Sequence, residues 1–536
     1  MKARLFFLLI SVFATADVRA QDVDLSFLTT RAEATEYEET TRYDEVMAFL
    51  DVLAATSERM HLTHFGYSVE GRRLPLMVYG DVADATPEAV QATGKTRVFV
   101  QANIHAGEVA GKEAALVLLR ALAAGRHAAW ADSLVLLVAP IYNADGNEQV
   151  SLYHRPQQHG PVGGMGQRPN AQGYDLNRDH MKLDTPEARS LVRLFSLYDP
   201  HVVIDLHTTN GTVHAYHLTY APPLHPSTPA SIVRLLREAW LPDVTAAIDT
   251  SHGWATTYYG NVPPEGMDVP RGWYTFDHRP RFGNNYVGLR GRFALLSEAY
   301  AYATFEERTL ASLYFIEEAI AYAARNADTI RQITATADST PIVGTPLALR
   351  AEHARSDKLE AILLGEVERE RHPYTGREIL RRLDVRRPDT MYTYGTFRPT
   401  ETAVAPRAYI IPPDLDVARD RIMAHGIRYE VLEAAEARTV ERFHIDSVQT
   451  SDEPFQEHLE QTLFGTYVTA EENLPAGTWL VPTDQPLGRL AFALLEPRSD
   501  DGLASWGLLS DALKKGAFYP IWRLPAVKDA SGTTPR

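Results

Sequence analysis

The stretch VFVQANIHAGEVAGKEAALVLLRAL, starting at Val98, sets His105 and Glu108 three residues apart where an apolar run gives way to a helical pattern. Imidazole and carboxylate at that spacing can hold a metal ion, or they can belong to a turn that happens to be polar. Of the nineteen histidines, only His105 has glutamate at the third following position. The pair alone does not decide between the two readings. Its position does more. His207 ends the run VVIDLH (202–207), and Glu298 lies near the end of FALLSEAY (293–300). In open α/β sheets, ligands gather at the carboxyl ends of the strands. Two histidines and a glutamate then give the three-donor pattern of a catalytic zinc site, with its fourth position left to water. Glu298, beside that water, has the chemistry of a general base.

The segment GYDLNRDH (173–180) adds what such a site lacks. Arg178 offers a planar, two-pronged donor for a carboxylate, and Asn177 adds an amide. Asp175 can take the far ring N–H of a metal-bound histidine and fix its tautomer. Arg168, nine residues before Asn177, can face a developing oxyanion. His154 and His159 read as solvated loop residues. His214 and His217 fit a pocket wall or plain strand positions equally well.

Strand-like runs must carry these groups: RLPLMVYG (73–80), TRVFVQANI (96–104), SLVLLVAPIYN (133–143), HVVIDLH (201–207) and RFALLSEAY (292–300). Helical periodicity separates them in YDEVMAFLDVLAATSERM, VAGKEAALVLLRALAAG and TPEARSLVRLFSLY, so the expected fold is an α/β domain with a largely buried sheet. Glycine, proline and glutamine dominate 153–173, which reads as a long surface loop.

Expected boundaries follow from composition. A signal peptide covers 1–20, with Lys2 and Arg4 before LFFLLISVFATA and small residues at Val18 and Ala20. A polar arm covers 21–42, the catalytic domain 43–326, a linker 327–346, a β-rich or α+β C-terminal module 347–525, and a mobile tail 526–536. With 536 residues, 45 % of them hydrophobic, the chain can bury more than one domain. It has no cysteine, so disulfides, thiol chemistry and lipid attachment through sulfur are excluded. Net charge is −16, and removing residues 1–20 takes away three cations and one anion to leave −18. That charge argues against binding nucleic acid or an anionic lipid surface. After the signal peptide no stretch is apolar for long enough to span a bilayer.

Taken together, His105-Ala-Gly-Glu108, NADG (143–146), RPNAQGYDLNRD (168–179), His207 after a β-run and Glu298 near the domain end resemble the zinc carboxypeptidase family, the carboxypeptidase A-like metallopeptidases. The resemblance spans about 43–325 and takes in GYSVEGRRLPLMVYG (66–80), which looks like the family's first hairpin. It implies a mixed, mostly parallel eight-stranded sheet flanked by helices. It also implies one Zn2+ per chain on His105, Glu108 and His207, with Glu298 as catalytic base and proton shuttle. Arg168 would polarise the scissile carbonyl, Asn177 and Arg178 would hold the C-terminal carboxylate of a peptide or protein substrate, and Asp175 would be the partner of His105. The family's mobile tyrosine has two candidates, Tyr286 and Tyr274, of which Tyr286 is taken. One departure stands out: Asp179-His180 follows the Asn-Arg pair where the family often has Asn-Phe, placing an acid beside the anchor.

The expectation is therefore an exported, periplasmic or extracellular zinc metallocarboxypeptidase. A zinc amidase or peptidase acting on cell-wall peptides is the rival within the enzyme class. A non-catalytic binding module is the rival outside it, and that reading expects a lost donor or base, whereas all four groups are present.

Overall fold

The computed structural model describes residues 24–526. The signal-peptide reading and, apart from Ala526, the tail lie outside the described residues. Nine strands belong to the first part of the chain: β1 Met60–Tyr67, β2 Arg73–Tyr79, β3 Thr96–Ala102, β4 Leu134–Ala139, β5 Val202–Thr209, β6 Leu218–Ala221, β7 Thr256–Tyr258, β8 Trp273–Tyr274 and β9 Phe293–Tyr300. All but β8 form one sheet in the order β1-β2-β4-β3-β5-β9-β6-β7. The four central strands β4, β3, β5 and β9 are mutually parallel, and antiparallel pairs join β1 to β2, β2 to β4 and β6 to β9. This is the expected mixed, mostly parallel eight-stranded sheet. Its central strands are buried along almost their whole length because both faces are covered.

The parity of β5 shows how. Leu206 packs so closely on the helix Ala110–Ala123 that a Cβ on Gly111 would come within 2.6 Å of its Cβ. Val203 and Asp205, one residue out of phase, face the opposite layer, which includes Leu191, Phe195 and Val287. A second long helix, Phe305–Arg325, packs against Ala110–Ala123, and Thr304 caps its start with a reciprocal Glu307 contact.

Residues 24–42 lie across the helix Ala110–Ala123. Glu33 pairs with Arg120 at 2.6 Å, and the Thr40 and Thr41 hydroxyls donate to the buried Glu113 carboxylate at 2.8 and 2.6 Å.

The stretch read as a linker is a helix, Ala327–Ser339, in which Ala327, Ile330 and Thr334 are buried. Apolar positions three and four apart in an otherwise polar sequence make it amphipathic, and its low overall hydrophobicity hid that periodicity. It docks on β3, where Thr96 donates to the Ala327 carbonyl at 2.9 Å.

The C-terminal part is β-rich, as expected. β10 Pro346–Ala354 pairs with β13 Thr396–Val404, and the long hairpin β11 Leu359–Arg371 with β12 Glu378–Tyr394 adds β8 to its edge. Strands β14 Ala408–Ile411, β15 Glu430–Val431, β16 Glu436–Thr450, β17 Gln461–Leu474, β18 Trp479–Pro482 and β19 Trp522–Leu524 form a six-stranded sheet. One continuous apolar core nevertheless includes Phe99, Leu136 and Ile204 from the first part together with Leu347, Tyr409 and Trp506 from the second. Arg281 is 2 % exposed and bridges the two, pairing with Asp501 at 2.7 Å and Glu460 at 2.6 Å while lying 4.2 Å over the Trp506 ring. No helix among the described residues is long and apolar enough to cross a membrane.

Candidate metal centre and cleft

Three of the four central parallel strands, β3, β5 and β9, deliver the groups of the site. After β3 the chain turns through Asn103, at φ +65°, and Glu108 closes a tight turn by donating its N–H to the His105 carbonyl at 2.8 Å. Asparagine tolerates that left-handed backbone. On the neighbouring strands, His207 of β5 and Glu298 of β9 are direct register partners, so strand pairing alone places the second imidazole beside the lone glutamate.

His105, Glu108 and His207 are buried, and their donor atoms all lie within 4.8 Å of one another. The Nδ1 atoms of both histidines face the Glu108 carboxylate at 3.0 Å. Each far nitrogen is held by its own acid: His105 Nε2 by Asp175 at 3.0 Å and His207 Nε2 by Asp205 at 2.9 Å. This donor set fits a divalent ion. With the outer nitrogens donating to carboxylates, the inner ones are directed at a shared point beside a third carboxylate.

The electrostatics favour positive charge at this point. Burial alone would raise the Glu108 pKa, but His105 and Arg155 beside it hold its carboxyl well below the usual range. Burial works against a charged His207, yet Asp205 and Glu108 hold its pKa well above the ordinary value. Glu298 is different: burial pushes it up to about 8, with the Glu108 charge adding to the rise and His207 opposing it. A carboxyl poised that high is suited to taking and releasing a proton near neutrality.

These groups open into a cavity of about 410 Å³, which Arg168, Asn177 and Arg178 also line. Arg168 donates to Asp175 through Nε at 2.9 Å and approaches Glu108 at 3.7 Å. Asp175 caps the short turn Leu176–Arg178. In that turn Asn177 Oδ1 accepts the Gly283 N–H at 2.8 Å, and the Arg178 guanidinium lies 3.8 Å over the Phe282 ring. Among the described residues no carboxylate comes within 4.0 Å of Arg178. Asp179, expected to sit beside this anchor, is committed elsewhere. It accepts from Lys182 at 2.8 Å, from the Asp184 N–H at 2.9 Å, and from the Thr185 N–H and hydroxyl at 2.8 and 2.7 Å. The acid organises the start of the helix Pro186–Tyr198 and leaves the arginine's charge intact.

Tyr286 needs correction. It is fully buried in the helix Gly283–Leu289, bonded to His425 Nδ1 at 2.8 Å, and does not line the cleft. Tyr274 stacks on Tyr394 and is also absent from the lining. The tyrosine that does line it is Tyr259, one residue past β7, whose hydroxyl accepts from Asn261 at 3.1 Å. Burial, with Glu298 nearby, pushes its pKa up to about 12.

His214 stacks on Tyr300 and His217 on Trp254, so both are packing residues. His154 and His159 are not simply solvated. His154 contacts the Met165 carbonyl at 3.1 Å, and His159 pairs with Glu370 at 3.0 Å.

Two participants escaped the sequence reading. Asp205 was visible in principle, because residues two apart on a strand share a face. Arg155 was not. It donates to Glu108 Oε1 at 3.0 Å, to the Thr208 carbonyl at 2.6 Å and to Gln158 at 2.8 Å. Gly107 makes room for it, since a Cβ there would lie 2.8 Å from Arg155 Cδ.

Asp205→Asn keeps the imidazole of His207 but removes the anion behind it. Affinity for a divalent metal, measured by chelator competition, should fall roughly 10- to 100-fold, the usual effect of losing such a partner. Unchanged affinity would mean that Asp205 does not orient the donor.

A parallel-centred α/β sheet whose strand ends carry two histidines, a bridging glutamate and a separate glutamate of raised pKa defines a metallohydrolase. Residues 46–228 match the zinc carboxypeptidase family model. Carboxypeptidase 2 of Trichophyton rubrum is 27 % identical over 517 residues, covering 90 % of this chain and 86 % of that one. The Trichophyton equinum carboxypeptidase 2 is 26 % identical with the same coverage. A solved metallo-carboxypeptidase from Burkholderia cenocepacia aligns with 53 % of this chain and 69 % of its own, at 17 % identity and a TM-score of 0.39. The matched segment, 46–228, holds His105, Glu108 and His207, and the similarity to carboxypeptidases extends over most of the chain.

Proposed function

We propose that this protein is exported and removes C-terminal residues from peptides or proteins, with one zinc ion on His105, Glu108 and His207. Bound there, zinc would polarise a water molecule and the scissile carbonyl and favour the ionised form of Glu298. Glu298 takes the water proton and passes it to the leaving amine. Arg168 hydrogen-bonds the carbonyl oxygen as negative charge develops on it. Asp175 and Asp205 hold the two imidazoles in the tautomer that leaves Nδ1 free to donate. Arg178 and Asn177 bind the terminal carboxylate, which limits cleavage to the chain end. Phe276, Phe282, Tyr259 and Leu296 in the cleft wall favour an apolar or aromatic terminal side chain.

The observation that carries this reading is a guanidinium, Arg178, that has no carboxylate partner among the described residues and shares a cavity with the His-Glu-His cluster and Glu298. It is tested with one phenylalanine-terminated peptide in free-acid and amidated forms. Wild type should strongly prefer the acid. Arg178→Lys keeps the charge but loses the fork, so kcat/KM on the acid should drop about tenfold to a hundredfold, with little change on the amide. Equal preference for the two forms in the wild type would remove the exopeptidase reading and leave an amidase or endopeptidase, including one acting on cell-wall peptides.

A further inference from the structure

The tip of the β16–β17 hairpin touches the cleft wall, and its backbone is strained. Phe455 and His458 exchange hydrogen bonds of 2.8 and 3.1 Å across a loop of two residues, Gln456 and Glu457. Both loop residues have positive φ, +50° and +65°. This is the type I′ form, which selects asparagine, aspartate and glycine because other side chains enter the left-handed region only with strain. Neither residue here is of that kind. Strain retained at a loop tip directs attention to what the tip holds.

Gln456 holds the active-site segment. Its Oε1 accepts the backbone N–H of Asp175 at 2.8 Å, across 281 positions of sequence. Both oxygens of the Asp175 carboxylate are engaged. One oxygen accepts from His105 Nε2 and from the Asn177 N–H, and the other from Arg168. A shift of the Tyr174–Asp175 peptide would therefore be felt at the metal donor, at the oxyanion arginine and at the turn bearing Arg178. Other contacts dock the hairpin without this amide. His458 pairs with Asp184 at 2.7 Å, Glu460 with Arg281 at 2.6 Å, and the Arg281 guanidinium lies 5.3 Å over the Phe455 ring.

We infer that Gln456 is a positioning residue for the cleft: it fixes the Asp175 peptide and, through the Asp175 carboxylate, the orientation of His105 and Arg168. The inference rests on the proposed role of His105 as a metal donor. It gives the C-terminal part of the chain a share in catalysis, delivered from a hairpin tip that touches neither zinc nor substrate.

Two full-length, zinc-loaded variants separate this role from simple structural support. Glu457→Gly relaxes the turn and leaves Gln456 in place, so Tm should rise while kcat/KM and the rate of zinc loss to a chelator stay at wild-type values. Q456N/E457G installs the residue pair that the turn prefers, but the asparagine amide is one methylene too short to reach Asp175. Its Tm should equal or exceed that of wild type, while zinc is lost roughly tenfold faster and kcat/KM falls by a similar factor. If the double variant matches Glu457→Gly in zinc loss and kcat/KM, Gln456 positions nothing and the inference is overturned. A lower Tm in both variants, with activity falling in proportion, would also overturn it by making the tip a stability element only. A wild-type protein that neither retains zinc nor cleaves peptides would remove the metal reading itself, and this inference with it.

Discussion

Glu298→Gln should keep one zinc per chain and lose turnover by a factor of roughly 10² to 10⁴, the range contributed by a positioned general base. The substitution preserves shape and removes only the capacity to accept a proton. Glu298 lies outside the proposed donor set: the cluster that could hold a metal comprises His105, Glu108 and His207, and Glu298 stands opposite His207 in the strand register. Zinc content and kcat should therefore separate cleanly in this variant. Metal analysis beside steady-state kinetics on a free-acid peptide makes the check. Turnover at the wild-type level would move the general base to another residue.

His207→Ala should produce the opposite pattern, with loss of metal as the primary event and loss of activity as its result. The donor set drops from three to two, and Glu108 loses one of the two imidazoles that face its carboxylate at 3.0 Å. Because His207 is held on its far side by Asp205, the whole donor is removed, whereas Asp205→Asn only loosens it. Zinc per chain should fall below about a tenth of the wild-type value, since two protein donors do not make a retained site. Unchanged stoichiometry would show that the metal sits elsewhere.

The parts of the site that a sequence reader can locate are those fixed by strand ends. His207 and Glu298 each fall near the end of an apolar run, and their register pairing follows once β5 and β9 are neighbours. His105 and Glu108 share one tight turn, so their spacing is local information. Arg155 is of another kind. It reaches Glu108 from 47 positions away, out of a loop rich in glycine and proline where no periodicity constrains direction. Tyr286 misled for a physical reason: GNNYVGL forms a helix buried on every side, and a tyrosine there spends its hydroxyl on His425. Asp179 shows that adjacency in sequence is not adjacency of charge, because its carboxylate turns to Lys182 and Thr185. The helix Ala327–Ser339 was hidden by composition, since three buried positions suffice to dock it and the other residues are polar.

The shared core has a consequence for the order of events during synthesis. Every group proposed to do chemistry has been made once residue 298 has left the ribosome. The apolar surface beneath those groups stays uncovered far longer, because it is completed by Tyr409, Trp506, Tyr519 and Ile521. The last strand to pair, β19, lies between β14 and β16 in the six-stranded sheet and ends only at Leu524. A nascent chain thus holds a full set of reactive side chains for some two hundred residues before it holds a closed fold. At typical synthesis rates that interval is on the order of ten to forty seconds. Until β14 to β19 have been made, the groups at the strand ends rest on an incomplete core.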